Sequence, residues 1–543
     1  MMDRKPTSYD HLIYGQEWRE WKDPHYPDWF NPVEVLLARH CEKTPERIAV
    51  IADGQSVTYA QLMQGIQQTG SALRKAGVVP GERVLLFATD SLEYVQLWYA
   101  CVHIGAIPAV VSDLYKAKDL GYFISDTGAA TLYIDEEQFE KLAEVSGELP
   151  PSLQRVIMRG AARALPKSSI PVLSLSEIVA KAQKSCEGWK RHSDDICYMF
   201  YSGGTTGTAK GITHLAYDFF LVPARHGKFW SYVPDDVVYA TSRKYFTHGI
   251  WPGMHIPLSV GATIVIDRRS PTAEVVCEVL QKWKATKFIT VPTIIKNMLE
   301  YRRTATQAID LSSVNFVASA SEKIPPEVFG SFRDAFGVEI FDSIGSSEIA
   351  YEWIANRKEE NKTGSLGKAI FGVEVRLVSA EGEDITEPNV PGEAWIKSRT
   401  ACFFYWRKYD KSRETFMGPW TRTGDSLMFD EDGFFWFNSR ESDVFKVKGL
   451  WVSPIEIEAA ITAHDGVLEA AVVSFDDKEG FTKPRAYVVL KKGVTGSDAL
   501  KQELCAQVRP LGGYKVPEDI VFIEALPRTT LMKIDRRALR DRQ

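Results

Sequence analysis

Apolar positions along this chain fall into two recurring spacings. Leu62, Ile66, Thr69 and Leu73 line one face at helical spacing. Gly77, Pro80 and Gly81 then predict a stop and a turn. Residues 84–87 form a short unbroken apolar run, the pattern of a strand buried on both faces. The stretch 97–104 predicts a buried helix, and 109–111 the next strand. Strand-like runs return at 196–200, 237–240, 262–266, 288–291 and 315–318. Such alternation predicts a largely parallel sheet with helices on both faces. After about residue 438 the texture changes: 456–462 and 500–508 read as helices, 469–475 and 484–490 as strands. This predicts a compact α+β module of about a hundred residues, an ordinary domain size. The boundary falls near 440–443, dividing the chain into 1–440 and 441–543. The segment 18–30, rich in aromatics and proline, reads as an extended arm packed on the body.

Composition narrows the class. At 543 residues the chain exceeds a single core, so two or more domains are expected. Hydrophobic residues at 45% and charged residues at 25% fit a soluble globular enzyme. The formal net charge of −6 gives no global basic surface for nucleic acid or an anionic membrane. The 7 cysteines are odd in number and lack C-x-x-C spacing, which points to reduced thiols and a cytoplasmic location. The first residues are polar and mixed in charge, unlike a signal peptide. The longest uncharged stretch, 249–266, is broken by Pro252, Gly253, Pro257 and Gly261, so no membrane span is expected.

One loop brings in chemistry: Tyr201-Ser-Gly-Gly-Thr-Thr-Gly-Thr-Ala-Lys210-Gly211. Glycines let backbone N–H groups turn toward an anion. Ser202, Thr205 and Thr206 add hydroxyls, and Lys210 adds a mobile positive charge. No Gly-Lys-Ser/Thr closes the loop, so it is not a Walker A motif. By itself such a loop is weak evidence, but four further stretches accompany it. They are Phe341-Asp-Ser-Ile-Gly-Ser-Ser-Glu348, Thr421-Arg-Thr-Gly-Asp425, Arg440-Glu-Ser-Asp-Val-Phe-Lys-Val-Lys-Gly449 and Pro527-Arg-Thr-Thr-Leu-Met-Lys533. In order, spacing and content the five resemble the adenylate-forming superfamily of acyl- and aryl-CoA synthetases, luciferases and peptide-synthetase adenylation domains. Within it the chain looks closest to benzoate- and 2-aminobenzoate-CoA ligases, through Ser319-Ala-Ser-Glu-Lys-Ile-Pro325, Asp342-Ser-Ile-Gly-Ser-Ser-Glu348 and Gly449-Leu-Trp-Val-Ser-Pro-Ile-Glu-Ile-Glu458.

The resemblance implies an α/β fold: a large multi-subdomain N-terminal domain with mixed sheets flanked by helices, and a small, mobile α+β C-terminal lid. It implies ATP, Mg²⁺ and CoA as cofactors and a small-molecule carboxylate as substrate, and it is compatible with a homodimer. Attack of a carboxylate on the α-phosphate brings two anions together, so positive charge must be supplied. Lys533, Glu348 and Lys210 are the candidate catalytic residues, with Glu348 matching the family's Mg²⁺ ligand. Ser202, Gly203, Gly204, Thr205, Thr206 and Gly207 match the phosphate loop. Ser321, Glu322 and Lys323 match the segment lying against adenine. Asp342 matches the residue that meets the adenine amino group, with Ser343, Ile344 and Ser347 nearby. Asp425 matches the ribose-binding aspartate, because a carboxylate can hold vicinal hydroxyls, and Arg440 the ribose–phosphate arginine. Lys446, Lys448 and Gly449 match the segment that enters the site for thioester formation.

Three positions depart from the family pattern: Ala209 stands for a proline, Ser442 for the hinge aspartate or lysine, and Met532 for a glycine. Phe246, Thr247, His248, Gly249 and Gly345 match the acyl pocket. No carboxylate follows Phe246, which disfavours an α-amino acid. His248 reads equally as a substrate contact or as a packed histidine. The combined reading is an ATP-dependent, AMP-forming ligase joining an aromatic acid of the benzoate or 2-aminobenzoate type to CoA. Loading of a carrier-protein phosphopantetheine, a short- or medium-chain acyl specificity, and a silent adenylate-binding scaffold stay open as rivals. Intact Lys533, Glu348 and Asp425 argue against the last.

Overall fold

The structure, a computed structural model, describes residues 9–202, 208–306, 308–440, 443–447, 450–477, 481–529 and 533–542. Among these residues the N-terminal region holds two large mixed sheets. In spatial order the first is Tyr405–Trp406, Lys210–Leu215, Ile196–Ser202, Ile107–Val110, Arg83–Phe87, Thr131–Asp135, Arg155–Arg159 and Val172–Ser174. The second runs Lys368–Ala369, Glu352–Ala355, Ile340–Gly345, Phe316–Ser319, Lys287–Thr290, Val237–Ala240, Thr263–Ile266, Ile48–Ala52 and Gln55–Thr58. Both are parallel at the centre and antiparallel at edges. The continuous apolar runs arise because successive side chains face opposite layers. Leu86 packs inward with helices shared by both sheets, whereas Leu85 and Phe87 join an outer helical layer. In the second sheet Ala318 faces the shared layer and Val317 the outer one.

A smaller antiparallel sheet, built on Glu374–Val378, Gly392–Lys397, Trp420–Phe429 and Phe435–Arg440, extends this body. The hairpin Phe445–Val447 and Leu450–Val452 then leads to the small C-terminal region. There the strands Val467–Asp476, Thr482–Leu490 and Asp519–Phe522 pack with the helices Pro454–Thr462 and Asp498–Val508. Val472, Ile457, Leu504 and Ile520 belong to a core separate from the larger ones. None of the 7 cysteines is in a disulfide. No helix among the described residues is long and apolar enough to cross a membrane.

The arm departs from its predicted extended form at its start, because Gln16–Glu20 is helical. Trp18 anchors that turn, its indole N–H donating to the carbonyls of Ile370 at 3.0 Å and Val373 at 3.1 Å. Pro24 and Pro27 keep the following residues out of a helix, and Trp21 stacks on Phe371.

Candidate active site

The site forms where strand ends of both sheets meet the C-terminal region. Ser202 and Lys210 pair in register across an antiparallel hairpin, which fixes the two ends of the glycine-rich loop. Gly203, Gly204, Thr205, Thr206 and Gly207 lie outside the described residues. Ala209, in place of a proline, has its carbonyl held by the Tyr122 hydroxyl. Lys210 places its ammonium 4.5 Å above the Tyr405 ring, and burial lowers its pKa against the pull of Glu348.

Glu348 sits in the tight turn Ser347–Ile349, just beyond the strand Ile340–Gly345. The Tyr405 hydroxyl donates to its Oε1 at 2.8 Å, and the Cys402 N–H donates to its backbone carbonyl at 2.7 Å. The carbonyl of Ser347 is held at 2.7 Å by His214 Nε2. His214 Nδ1 meets Asp218 at 3.0 Å, and Asp218 also accepts from the Tyr198 hydroxyl at 2.8 Å. Immediately after the turn, Ala350 adopts φ 73° and ψ −43°, a strained conformation for an L-residue. These supports come from distant strands and from the start of the helix Asp218–Phe229, and no spacing in the sequence pointed to Tyr405, His214 or Asp218.

Asp342 is buried, and its Oδ1 has no hydrogen-bond partner within the protein. Burial pushes its carboxyl well above the usual range. An orphaned acceptor at this place fits an amino group supplied by a ligand. Ser343 turns its hydroxyl to the Ser319 carbonyl at 2.9 Å, so it ties two strands together. Ser321 has φ 82°. Glu322 accepts from Thr293 and from Arg528 of the C-terminal region, at 3.1 and 3.2 Å. Burial lowers the pKa of Lys323, opposed by Glu456, Glu458 and Asp342.

Asp425 and Arg440 oppose each other on paired strands, with Nε 2.9 Å from Oδ1. Burial raises the Asp425 pKa despite Arg440, and Asp425 raises that of Arg440. Lys533 arrives from the C-terminal region beside Arg440, Asp425, Glu348 and Glu322, and its pKa falls to about 8. Its side chain keeps solvent contact, although protein surrounds it. The shift is attributed first to Arg440, whose charge acts whether or not the ammonium is hydrated. Lys446 is exposed on the hairpin strand Phe445–Val447. Ser442, Lys448, Gly449 and Met532 lie outside the described residues.

Among the described residues no group of three or more His, Cys, Asp or Glu could hold a metal ion. The site still fits Mg²⁺, which is ordinarily held by one or two carboxylates together with substrate phosphates. Glu348 retains acceptor capacity beyond its bond to Tyr405.

Phe246 precedes the short helix Thr247–Ile250, which continues through a π-helical turn at Trp251–His255. A side chain at Gly249 would put a β-carbon 2.0 Å from the Arg243 carbonyl, so this close approach needs glycine. His248 has both nitrogens engaged: Nε2 with the Thr290 carbonyl at 3.0 Å, and Nδ1 with Glu352 Oε1 at 3.2 Å. The sequence reading noted that no carboxylate follows Phe246, and it did not foresee a carboxylate partner for His248. Glu352 reaches His248 from the strand opposite Gly345, a neighbour that the order of residues around Phe246 could not reveal.

Comparisons with known proteins agree with this architecture. The family model for the AMP-binding enzyme matches residues 37–406, and that for its C-terminal domain matches 456–533. A benzoate–CoA ligase of Thauera aromatica is 32% identical, over 95% of this chain and 96% of that protein. An anthranilate–CoA ligase of Pseudomonas aeruginosa is 30% identical, over 94% and 96%. The crystal structure of the anthranilate CoA ligase AuaEII with anthranoyl-AMP superimposes with a TM-score of 0.87 at 31% identity, covering 95% of this chain and 97% of that one. The chain is an acid–thiol ligase, a group whose members use ATP, Mg²⁺ and CoA, and it belongs to the AMP-binding enzyme family with its C-terminal domain.

Proposed function

We propose that this enzyme activates an aromatic carboxylate of the benzoate or 2-aminobenzoate type as an acyl adenylate and transfers the acyl group to CoA. The observation that carries the reading is the meeting of Lys533 with Arg440, Asp425 and Glu348. That cluster draws residues from both regions of the chain to one place. Full-length similarity to ligases named for benzoate and anthranilate supports the aromatic class.

In the first half-reaction a carboxylate oxygen attacks the α-phosphate and pyrophosphate leaves. Lys533 and Lys210 supply positive charge where two anions meet. Asp425 holds the ribose hydroxyls, Arg440 lies by the ribose and α-phosphate, and Asp342 accepts from the adenine amino group. Mg²⁺ on Glu348 would neutralise phosphate charge. In the second half-reaction the CoA thiolate attacks the acyl carbonyl and AMP leaves. We assign residues 1–440 to the nucleotide- and acyl-binding body, and 441–543 to a lid that changes orientation between the halves.

Thioester formation should be measured with CoA and ATP on benzoate, 2-aminobenzoate, cyclohexanecarboxylate, hexanoate and phenylalanine. The highest kcat/KM is expected for a benzoate. A highest value for hexanoate or phenylalanine overturns the aromatic reading, and acyl transfer to a carrier protein but not to CoA overturns the acceptor.

A further inference from the structure

Glu352 is 3% exposed, and its two oxygens have different surroundings. Oε1 meets His248 Nδ1 at 3.2 Å. Oε2 is shielded from water and has no hydrogen-bond partner. An unsatisfied buried polar oxygen is destabilising, and an apolar residue of similar volume would avoid that cost. A donor brought by a ligand would satisfy it.

The position of Oε2 shows which ligand could reach it. Gly345 and Glu352 are register partners across the hairpin. A β-carbon built on Gly345 would stand 2.4 Å from Oε2, so the carboxyl fills the space that a side chain would take there. Phe246, Thr247 and Gly345, which the family resemblance matches to the acyl pocket, are only partly buried. Gly345 is three residues before Glu348, so this carboxyl flanks the strand end that carries the nucleotide chemistry.

The hydrogen bonding also fixes the sense of the missing contact. His248 Nε2 faces the Thr290 carbonyl and therefore carries a proton. Nδ1 lies 3.2 Å from Oε1 and 3.3 Å from the Tyr351 hydroxyl, and its contact with Oε1 is a hydrogen bond when a proton lies between the two. Whichever atom holds that proton, Oε2 remains an acceptor. The missing partner is therefore an N–H or O–H group.

We propose that Glu352, oriented by His248, is a specificity residue of the acyl site whose Oε2 accepts a hydrogen bond from an amino or hydroxyl substituent on the acyl group. This rests on the aromatic-acid reading above and narrows it: the unsubstituted acid leaves Oε2 unpaired. Buried Asp342 offers a similarly orphaned oxygen on the neighbouring strand. The two acids would thus each meet a donor, one on the adenine and one on the acyl group of the same intermediate.

The test compares kcat/KM for benzoate with those for the three aminobenzoates and the three hydroxybenzoates, in wild type, Glu352→Gln and Glu352→Leu. Wild type should favour at least one substituted acid over benzoate by about tenfold or more, since a site built around a hydrogen bond discriminates strongly. Glu352→Leu should abolish that preference with the KM for ATP unchanged. Glu352→Gln, nearly isosteric, should fold and show a smaller loss. Benzoate as the best wild-type substrate overturns the inference, as does an unchanged ratio in both variants. Turnover of no aromatic acid overturns the aromatic-acid reading itself, and this inference with it.

Discussion

The Lys533 ammonium stands beside Arg440, and that charge lowers its pKa to about 8. Lysine is cationic below its pKa, so the charge that the proposed mechanism assigns to Lys533 is present below pH about 8 and disappears above it. In pyrophosphate exchange, kcat/KM for ATP is therefore expected to fall as pH rises through this value. That ratio reports the free enzyme. Lys533→Arg should move the alkaline limb upward. Lys533→Ala should slow adenylation by about 10²-fold or more, the scale of losing one key electrostatic donor. Thioester formation from supplied acyl adenylate should suffer much less, and equal losses in both halves would refute the two-state lid. Ser321 offers a test of a different kind. Its φ of 82° is costly for an L-residue, by about 1–2 kcal/mol. Glycine relieves that strain but adds about 0.5–1 kcal/mol of unfolded-state entropy. Ser321→Gly is expected to raise the thermal midpoint slightly and leave adenylation intact.

At the scale of elements, Tyr405 joins three pieces of chain. It belongs to the edge strand Tyr405–Trp406, its ring lies under Lys210, and its hydroxyl holds Glu348 in the turn Ser347–Ile349. The hydroxyl thereby fixes which lone pairs of Glu348 are left for a metal. Tyr405→Phe keeps the ring and removes that bond. The Mg²⁺ concentration for half-maximal adenylation should rise by about tenfold, the scale of losing a partner that orients a metal ligand. The rate at saturating Mg²⁺ should stay near that of wild type, and Mn²⁺ titration followed by magnetic resonance should show the same weakening of the ATP complex. An unchanged metal dependence would assign the tyrosine to packing alone.

The whole molecule adds contact between its two regions. Arg528 reaches Glu322 of the body at 3.2 Å while also pairing with Glu469 of the small region. Arg536 grips Asp443 at 3.3 Å, tying the segment after the boundary to the small region. Arg528→Ala removes one clamp of the orientation that delivers Lys533. A partly exposed ion pair contributes about 1 kcal/mol at most, so adenylation should fall by up to about fivefold, most clearly at high ATP. Acyl transfer from supplied adenylate should be unchanged or faster if, as proposed, the lid adopts another orientation for that half-reaction. A slowing of both halves by the same factor would contradict this role.

The central strands of the chain were legible from residue order. Both faces of the central strands are buried, so a run such as 84–87 is apolar throughout and stands out from its surroundings. The segments around Glu348, Asp425 and Lys533 stand out in the sequence for another reason: which charged residues a segment carries is a local property of residue order. Edge strands of two residues, such as Tyr405–Trp406, carry no period that a sequence can display. The partners of the site were hidden as well. His214 with Ser347, Tyr405 with Glu348, and Glu352 with His248 are separated by 133, 57 and 104 residues. Sequence thus determined which chemical groups the protein carries and the core strands that hold them. Tertiary structure alone decided which groups meet and which buried oxygens have no partner within the protein, because those contacts follow from the crossing of distant strands and not from any local preference.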